Sequence, residues 1–429
     1  MSTPVRNGSV FAAFAALLLV GTLAWHLPLM LWDHIDLVPM FEAWQARALA
    51  ESGFWRIHDD SHLHVAAYAV LLATTALSGG QPWLDCLASL FLLLIQCWIL
   101  VRIARDGLGD GFNGIWAVAL LFVAFHPGHL VNLQWGWQVA VFISTLGAVV
   151  AIGMLTRPRL GMSANLLAVA CATVGVLGFS NTLAVFPIAI VLVALHPVID
   201  AKRKAALVLP WIVACAGLSW WLASGRQGGA PAMPDADAFV LYVLNYLGAG
   251  VSRLATALAP VWAVLALATA AWTAVRHWHR KLLPWLALML FAVGCAILTA
   301  LGRAAEFGPD HAFVTRYVSF SSLFWFGWIG LMLAGWRDSA QAWRRWVRPL
   351  LSVLLVFVSA NGIHMVKQAQ QIHQRANDYA AHIRAHYPNV DGEVMAAAYG
   401  WRAELAHERL GALQARGFAP FSGSDEREH

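Results

Sequence analysis

Apolar runs long enough to cross a bilayer recur along most of this 429-residue chain, and they rule out a water-soluble fold. A spanning helix needs about 17–25 mostly apolar residues. Runs of that kind lie at about 11–31, 83–101, 114–131, 137–155, 163–179, 182–197, 205–222, 257–275, 282–301, 317–336 and 348–366. Charged residues make up 12% of the chain, about half the share in an ordinary soluble domain. The expected fold is therefore all-α: a polytopic transmembrane bundle of about eleven spans. The run from Phe11 to Leu31 is longer than a signal-peptide core, and no small-x-small site follows it. It is expected to remain as the first span.

Loop charge sets the expected topology. Arg102/Arg105, Arg157/Arg159, Lys202/Arg203/Lys204, Arg276/Arg280/Lys281 and Arg337/Arg344/Arg345/Arg348 fall on one side when the apolar segment 63–78 is left out of the count. The positive-inside rule then makes 63–78 an interfacial helix that dips and returns, and makes the basic loops cytoplasmic. The N-terminus is expected inside and the C-terminus outside, as for a multi-pass protein of the bacterial inner membrane. Residues 1–366 form the membrane domain, with 32–82 as an outward loop carrying interfacial helices. Residues 367–429 form a small helical periplasmic tail. Trp25, Trp32, Trp83 and Trp211 sit where apolar runs meet polar ones, as in an interfacial aromatic belt. The five cysteines lie within apolar runs and read as small buried hydrophobes, neither disulfides nor a zinc site. The net charge of +5 comes from short basic loops, so no nucleic-acid partner is implied.

The acidic residues gather on the other side, in and beside the first outward loop. Asp33 and Asp36 stand three apart, which on a helix puts both on one face. Two such carboxylates suit a divalent cation such as Mg or Mn, or a general base beside an ionised partner. His58, Asp59, Asp60, Ser61 and His62 close the loop. They read as a cation site (with Asp33, Asp36 and His58 as candidates), as substrate-orienting groups, or as a solvated helix start capped by Asp60 or Ser61. Trp135, Trp137 and Gln138 read as a wall for a sugar ring or as belt anchors. Arg316 and Tyr317 open a span on its outer side. There Arg316 is either a phosphate ligand or an interfacial snorkelling side chain. Ser180 and Asn181 read as a turn that satisfies its own backbone.

A first helix followed at once by an acidic motif in a large outward loop resembles the GT-C superfamily of multi-spanning glycosyltransferases. Asp33 and Asp36 resemble the acidic motif that opens the loop in its bacterial members. His58-Asp59-Asp60-Ser61-His62 is loosely similar to the His/acid/His motif that closes it, with Asp60 at the Glu position and Leu63 at the Arg position. Asn132 to Gln138, Phe179 to Pro187 and Thr315 to Trp325 resemble three later polar stretches of those proteins. The resemblance implies a polyprenyl-phosphate sugar donor, a membrane-lipid setting and envelope-biosynthesis partner proteins. It implies that Asp33 or Asp36 activates the acceptor or binds the cation that does so. Arg316 then stabilises the departing phosphate, and His62 and Asp60 orient the substrates. Two other readings stand beside it. A transporter or flippase predicts charges deep within spans, and a non-catalytic subunit predicts the fold without the chemistry.

Overall fold

A computed structural model describes residues 3–109, 112, 114–196, 198–228, 232–337 and 341–422. In chain order the helices are α1 Thr3–Trp25, α2 Leu37–Gln45, α3 Val65–Ser78, α4 Trp83–Leu108, α5 Gly114–Ala124, α6 His129–Leu133, α7 Val139–Leu155, α8 Met162–Gly178 and α9 Val185–Ala194. They continue as α10 Ala201–Ser224, α11 Ala236–Ser252, α12 Ala259–Arg276, α13 Leu283–Phe307, α14 Val318–Arg337, α15 Gln341–His386, α16 Gly392–Tyr399 and α17 Ala403–Ala415. One two-residue hairpin pairs β1, Ile57–His58, with β2, His62–Leu63.

Among the described residues, 9 helices are long and apolar enough to cross a membrane. They match nine of the expected runs. The other two, 163–179 and 182–197, are the shorter helices Met162–Gly178 and Ser180–Ala194. That pair still links the two ends of the bundle. Its turn packs on the hairpin, where the Leu63 amide donates to Ser180 Oγ at 2.9 Å. Its far end meets the basic loops, where Arg280 donates to His196 at 2.8 Å. The 63–78 segment is α3, whose 14 residues are too short to span a bilayer.

Burial sorts the helices. Residues Tyr317 to Gly335 are buried throughout, so α14 is the central post of the bundle. Its small residues let neighbours approach closely, as membrane interfaces favour. A Cβ on Gly330 would meet the Trp285 ring at 2.0 Å, and one on Gly327 would meet the Trp285 carbonyl oxygen at 2.7 Å. Helices α1, α10 and α12 instead expose Leu17, Val213, Trp220 and Val261 on one side. Water would penalise those faces; hydrocarbon does not.

The tail departs from expectation. The boundary at 366/367 falls inside α15, a single helix of 46 residues. At about 1.5 Å per residue α15 runs roughly 70 Å, so its second half projects beyond the bundle. There Ala376, Ala380 and Ile383 join Met395, Tyr399 and Leu410 in a second apolar cluster with Leu29, Leu31, Ile35 and Val38 of the first loop. Phe418 closes this contact against Gly80, which has φ +78°, and an added Cβ there would lie 2.1 Å from the Phe418 ring. Gly80→Ala is expected to cost about 1–3 kcal/mol. A lower melting temperature, with faster trypsin cleavage within 387–422 than in the bundle, is the outcome to check.

Candidate active site

Asp33 and Asp36 lie on a 3-10 turn, Trp32–Asp36, that leads straight into α2. In that geometry residues three apart eclipse, and both carboxylates meet the same partner. Arg402, from the turn between α16 and α17, donates to Asp33 at 3.0 Å and Asp59 at 3.2 Å, and also pairs with Asp36. Arg409 takes the other oxygen of Asp36, and Arg416 pairs with Glu42 at 3.1 Å. The tail thus supplies counter-charge to four carboxylates of the first loop, Asp33, Asp36, Glu42 and Asp59. Burial alone would raise the Asp33 pKa. The nearby His58, with Arg402 and Arg316, outweighs it and holds Asp33 at about 2.

A cavity of about 250 Å³ opens beside these groups. Its lining brings together the acids Asp33 and Asp59 with His58, the side chains Trp137, Gln138 and Trp401, and the basic group Arg303, His311 and Arg316. An adjoining cavity of about 130 Å³ shares His62, Phe179 and Arg303 and adds Asn181, Thr299 and Tyr317. Among the described residues neither Arg303 nor Arg316 has a carboxylate partner. Arg303 lies over the Phe307 ring at 5.6 Å, and Arg316 over Tyr317 at 5.8 Å with its Nε unpaired. The acids are compensated by arginine; these two arginines are not compensated by acid.

The hairpin places the histidines. Asp59 and Asp60, in its turn, both have positive φ, 45° and 52°, a conformation that Asp tolerates better than most residues. His62 stacks on Phe179 with centroids 3.9 Å apart. His64 Nδ1 donates to the Gly178 carbonyl at 2.7 Å, which leaves Nε2 with its lone pair. Burial drives the pKa of His62 well below the usual value, and that of His64 to about 3. Both are neutral at physiological pH.

Several expected residues sit elsewhere. Asp36 does not line the cavity, because two arginines occupy its oxygens. Asp60 turns away and accepts from the Gln227 and Gly228 amides at 2.9 and 2.8 Å, fastening the hairpin to the loop after α10. It does not cap a helix either: α3 starts at Val65, with His64 in the cap position. Trp135 packs edge-on against Trp32 at 4.9 Å, and its neighbour Trp137 faces the cavity instead. Asn181 donates to Thr299 at 2.9 Å beside the smaller cavity. The tail residues Trp401, Arg402 and Arg409 were not singled out from sequence as site residues. The spacing of Arg402, Arg409 and Arg416, seven residues apart, is the signal that was available for the tail.

A divalent cation fits the donor set at Asp33, His58 and Asp59, whose ligand atoms lie within 4.8 Å of one another. Asp59 replaces Asp36 in the expected trio. Arg402 uses one oxygen of each carboxylate. The other oxygens face His58 Nε2, which is buried without a hydrogen bond. Two carboxylate oxygens and one imidazole suit Mn better than Mg.

The neutral histidines make stability pH-dependent. The folded pKa of His64 lies below its unfolded value of about 6.5, so the unfolded chain binds more protons between pH 6.5 and 3. Stability is full above about pH 6.5 and falls as pH drops through that window. In His64→Asn the fall should be shallower by up to about 1.4 kcal/mol per pH unit, read from melting temperatures between pH 7.5 and 5.

Comparison with known proteins returns no match: no family model fits the sequence, and no curated protein or solved structure resembles it at a significant level.

Proposed function

We propose that the protein transfers a sugar from a polyprenyl-phosphate donor to an envelope acceptor at the outer face of the bacterial inner membrane. One observation carries this reading: two arginines with no carboxylate partner among the described residues line the same cavity as Asp33 and Asp59, beside the ends of apolar helices. Uncompensated guanidinium groups near a bilayer surface call for an anion, and phosphate matches their fork geometry. The lipid tail of the donor then lies along the bundle, and its phosphate lies at Arg303 and Arg316.

In the reaction, an acceptor hydroxyl held at Asp33 and Asp59 passes its proton by way of Asp33 to solvent as its oxygen attacks the anomeric carbon. The bond from that carbon to the phosphate oxygen breaks, and the charge that develops on phosphate is met by Arg316 and Arg303. A cation between Asp33, His58 and Asp59 would supply further polarisation of the hydroxyl. Trp137 offers an apolar face to the sugar, and Gln138 a hydrogen-bonding amide. Between the two expected carboxylates, Asp33 is the one presented to substrate; Asp36 holds the tail.

Sugar transfer by membrane vesicles carrying a labelled polyprenyl-phosphate sugar tests this. Asp33→Asn should lose about 10²–10⁴-fold in rate, and Arg316→Gln about 10²–10³-fold. Asp36→Asn should lose far less, and its loss should track tail docking. Equal losses in Asp33→Asn and Asp36→Asn would contradict this division of roles. Full activity in Arg316→Gln would remove the phosphate site.

A further inference from the structure

At the opposite end of α4, α7 and α13 lies a second cavity, about 620 Å³ in volume. Gln138 and Thr156 flank α7, one at each cavity, so the two sites are roughly 25–30 Å apart along it. The candidate active site does not use this end of the molecule. Arg157, Arg280 and Lys281 line the second cavity with Asp106, between Ile103 and Pro284.

Its positive charge is held in place by neutral acceptors. The Arg280 guanidinium donates to His196 Nε2 at 2.8 Å, to the Arg157 carbonyl, and to the Pro158 carbonyl at 3.5 Å. Nearby, Arg203 and Lys204 also donate to main-chain carbonyls, of Leu160 at 3.2 Å and Ala194 at 2.7 Å. Among the described residues, Arg157, Arg280, Lys281 and Asp106 make no ion pairs. Three cations against one carboxylate leave the cavity a surplus of two positive charges. Arg280 is fixed by its carbonyl and imidazole partners, while Arg157 and Lys281 are exposed and free to close on a ligand.

The cavity also sits at headgroup depth. It lies where the apolar windows of α4, α7 and α13 end. Trp278 is exposed beside it, and Arg102 lies over the exposed Trp98 ring at 4.7 Å, as interfacial side chains do. Basic pockets between membrane helices are known to take lipid phosphate. We propose that this cavity binds the phosphate of an anionic lipid headgroup, with Arg280 as its fixed base and Arg157 and Lys281 as closing ligands. The site is independent of the chemistry proposed for the other end.

The test uses the full-length protein in detergent, with lipid retention in native mass spectrometry and melting temperature as readouts. Phosphatidylglycerol, phosphatidylethanolamine with the same acyl chains, and inorganic phosphate are compared. Phosphatidylglycerol should be retained and should raise the melting temperature; phosphatidylethanolamine should not. Arg157→Gln combined with Lys281→Gln should weaken retention about tenfold or more. Asp106→Asn, which enlarges the charge surplus, should strengthen it. If inorganic phosphate protects as well as the lipid and the double variant abolishes this, the site takes free phosphate and the lipid assignment falls. Equal retention of the two lipids, equal retention by wild type and double variant, or no protection by any of the three overturns the proposal.

Discussion

The Arg402 guanidinium is the contact on which the end of the structure that carries the candidate site depends. Three carboxylates, Asp33, Asp36 and Asp59, converge on it. Without it they would repel one another in a partly desolvated loop. A planar fork with five donors can serve three acceptors at once, which an ammonium group cannot do with the same geometry. Burial makes the arrangement intolerant of loss. Arg402 is 7% exposed, and removing one partner of a buried charge group costs far more than the group contributes. The tail is therefore part of the site. Its apolar cluster with Leu29, Leu31 and Ile35 brings Arg402 to the acids, and the acids in turn fix the turn that carries Trp401 to the cavity.

The two ends of the bundle use charge differently. At the candidate active site, acids and tail arginines neutralise each other, and the remaining surplus, Arg303 and Arg316, lines the cavity. At the other end the surplus is spread over three loops and anchored by carbonyl oxygens. Helices α4, α7 and α13 run between these ends, packed around the fully buried α14. Close packing at Gly327 and Gly330 leaves that core little room to adjust. The loops and tail can vary around a rigid frame.

The sequence disclosed what is local. Apolar runs located the nine long helices of the described residues, because the length and apolar composition that a bilayer-crossing helix needs are local properties of the sequence. The three-residue spacing of Asp33 and Asp36 correctly placed both on one face, although the turn is 3-10. What escaped was long-range or conformational. The last apolar run ends near 366, which set the expected start of the tail at 367, whereas α15 continues unbroken to His386. Asp59 and Asp60 read as a helix start because composition does not report a positive φ at two successive residues. That turn swaps their roles: Asp59 faces the cavity, and Asp60 ties down a distant loop. The pairing of Arg402 with Asp33 joins positions 369 residues apart, beyond any local pattern.

The protonation states constrain the chemistry of the site. Asp33, held at about 2, is ionised at any physiological pH, and the buried His62 and His64 are neutral. A carboxylate that far below ambient pH is a poor resting place for a proton, since base strength falls with pKa. Its stronger contribution is fixed negative charge, which orients a hydroxyl or holds a cation. The two arginines are likewise permanently charged. A site whose charges are set before substrate arrives works by stabilising charge as it develops, with little reorganisation. Under the glycosyl-transfer reading, Asp33 then acts through its fixed charge on the acceptor hydroxyl, and Arg303 and Arg316 through theirs on the departing phosphate. That balance suits a donor whose leaving group already carries charge.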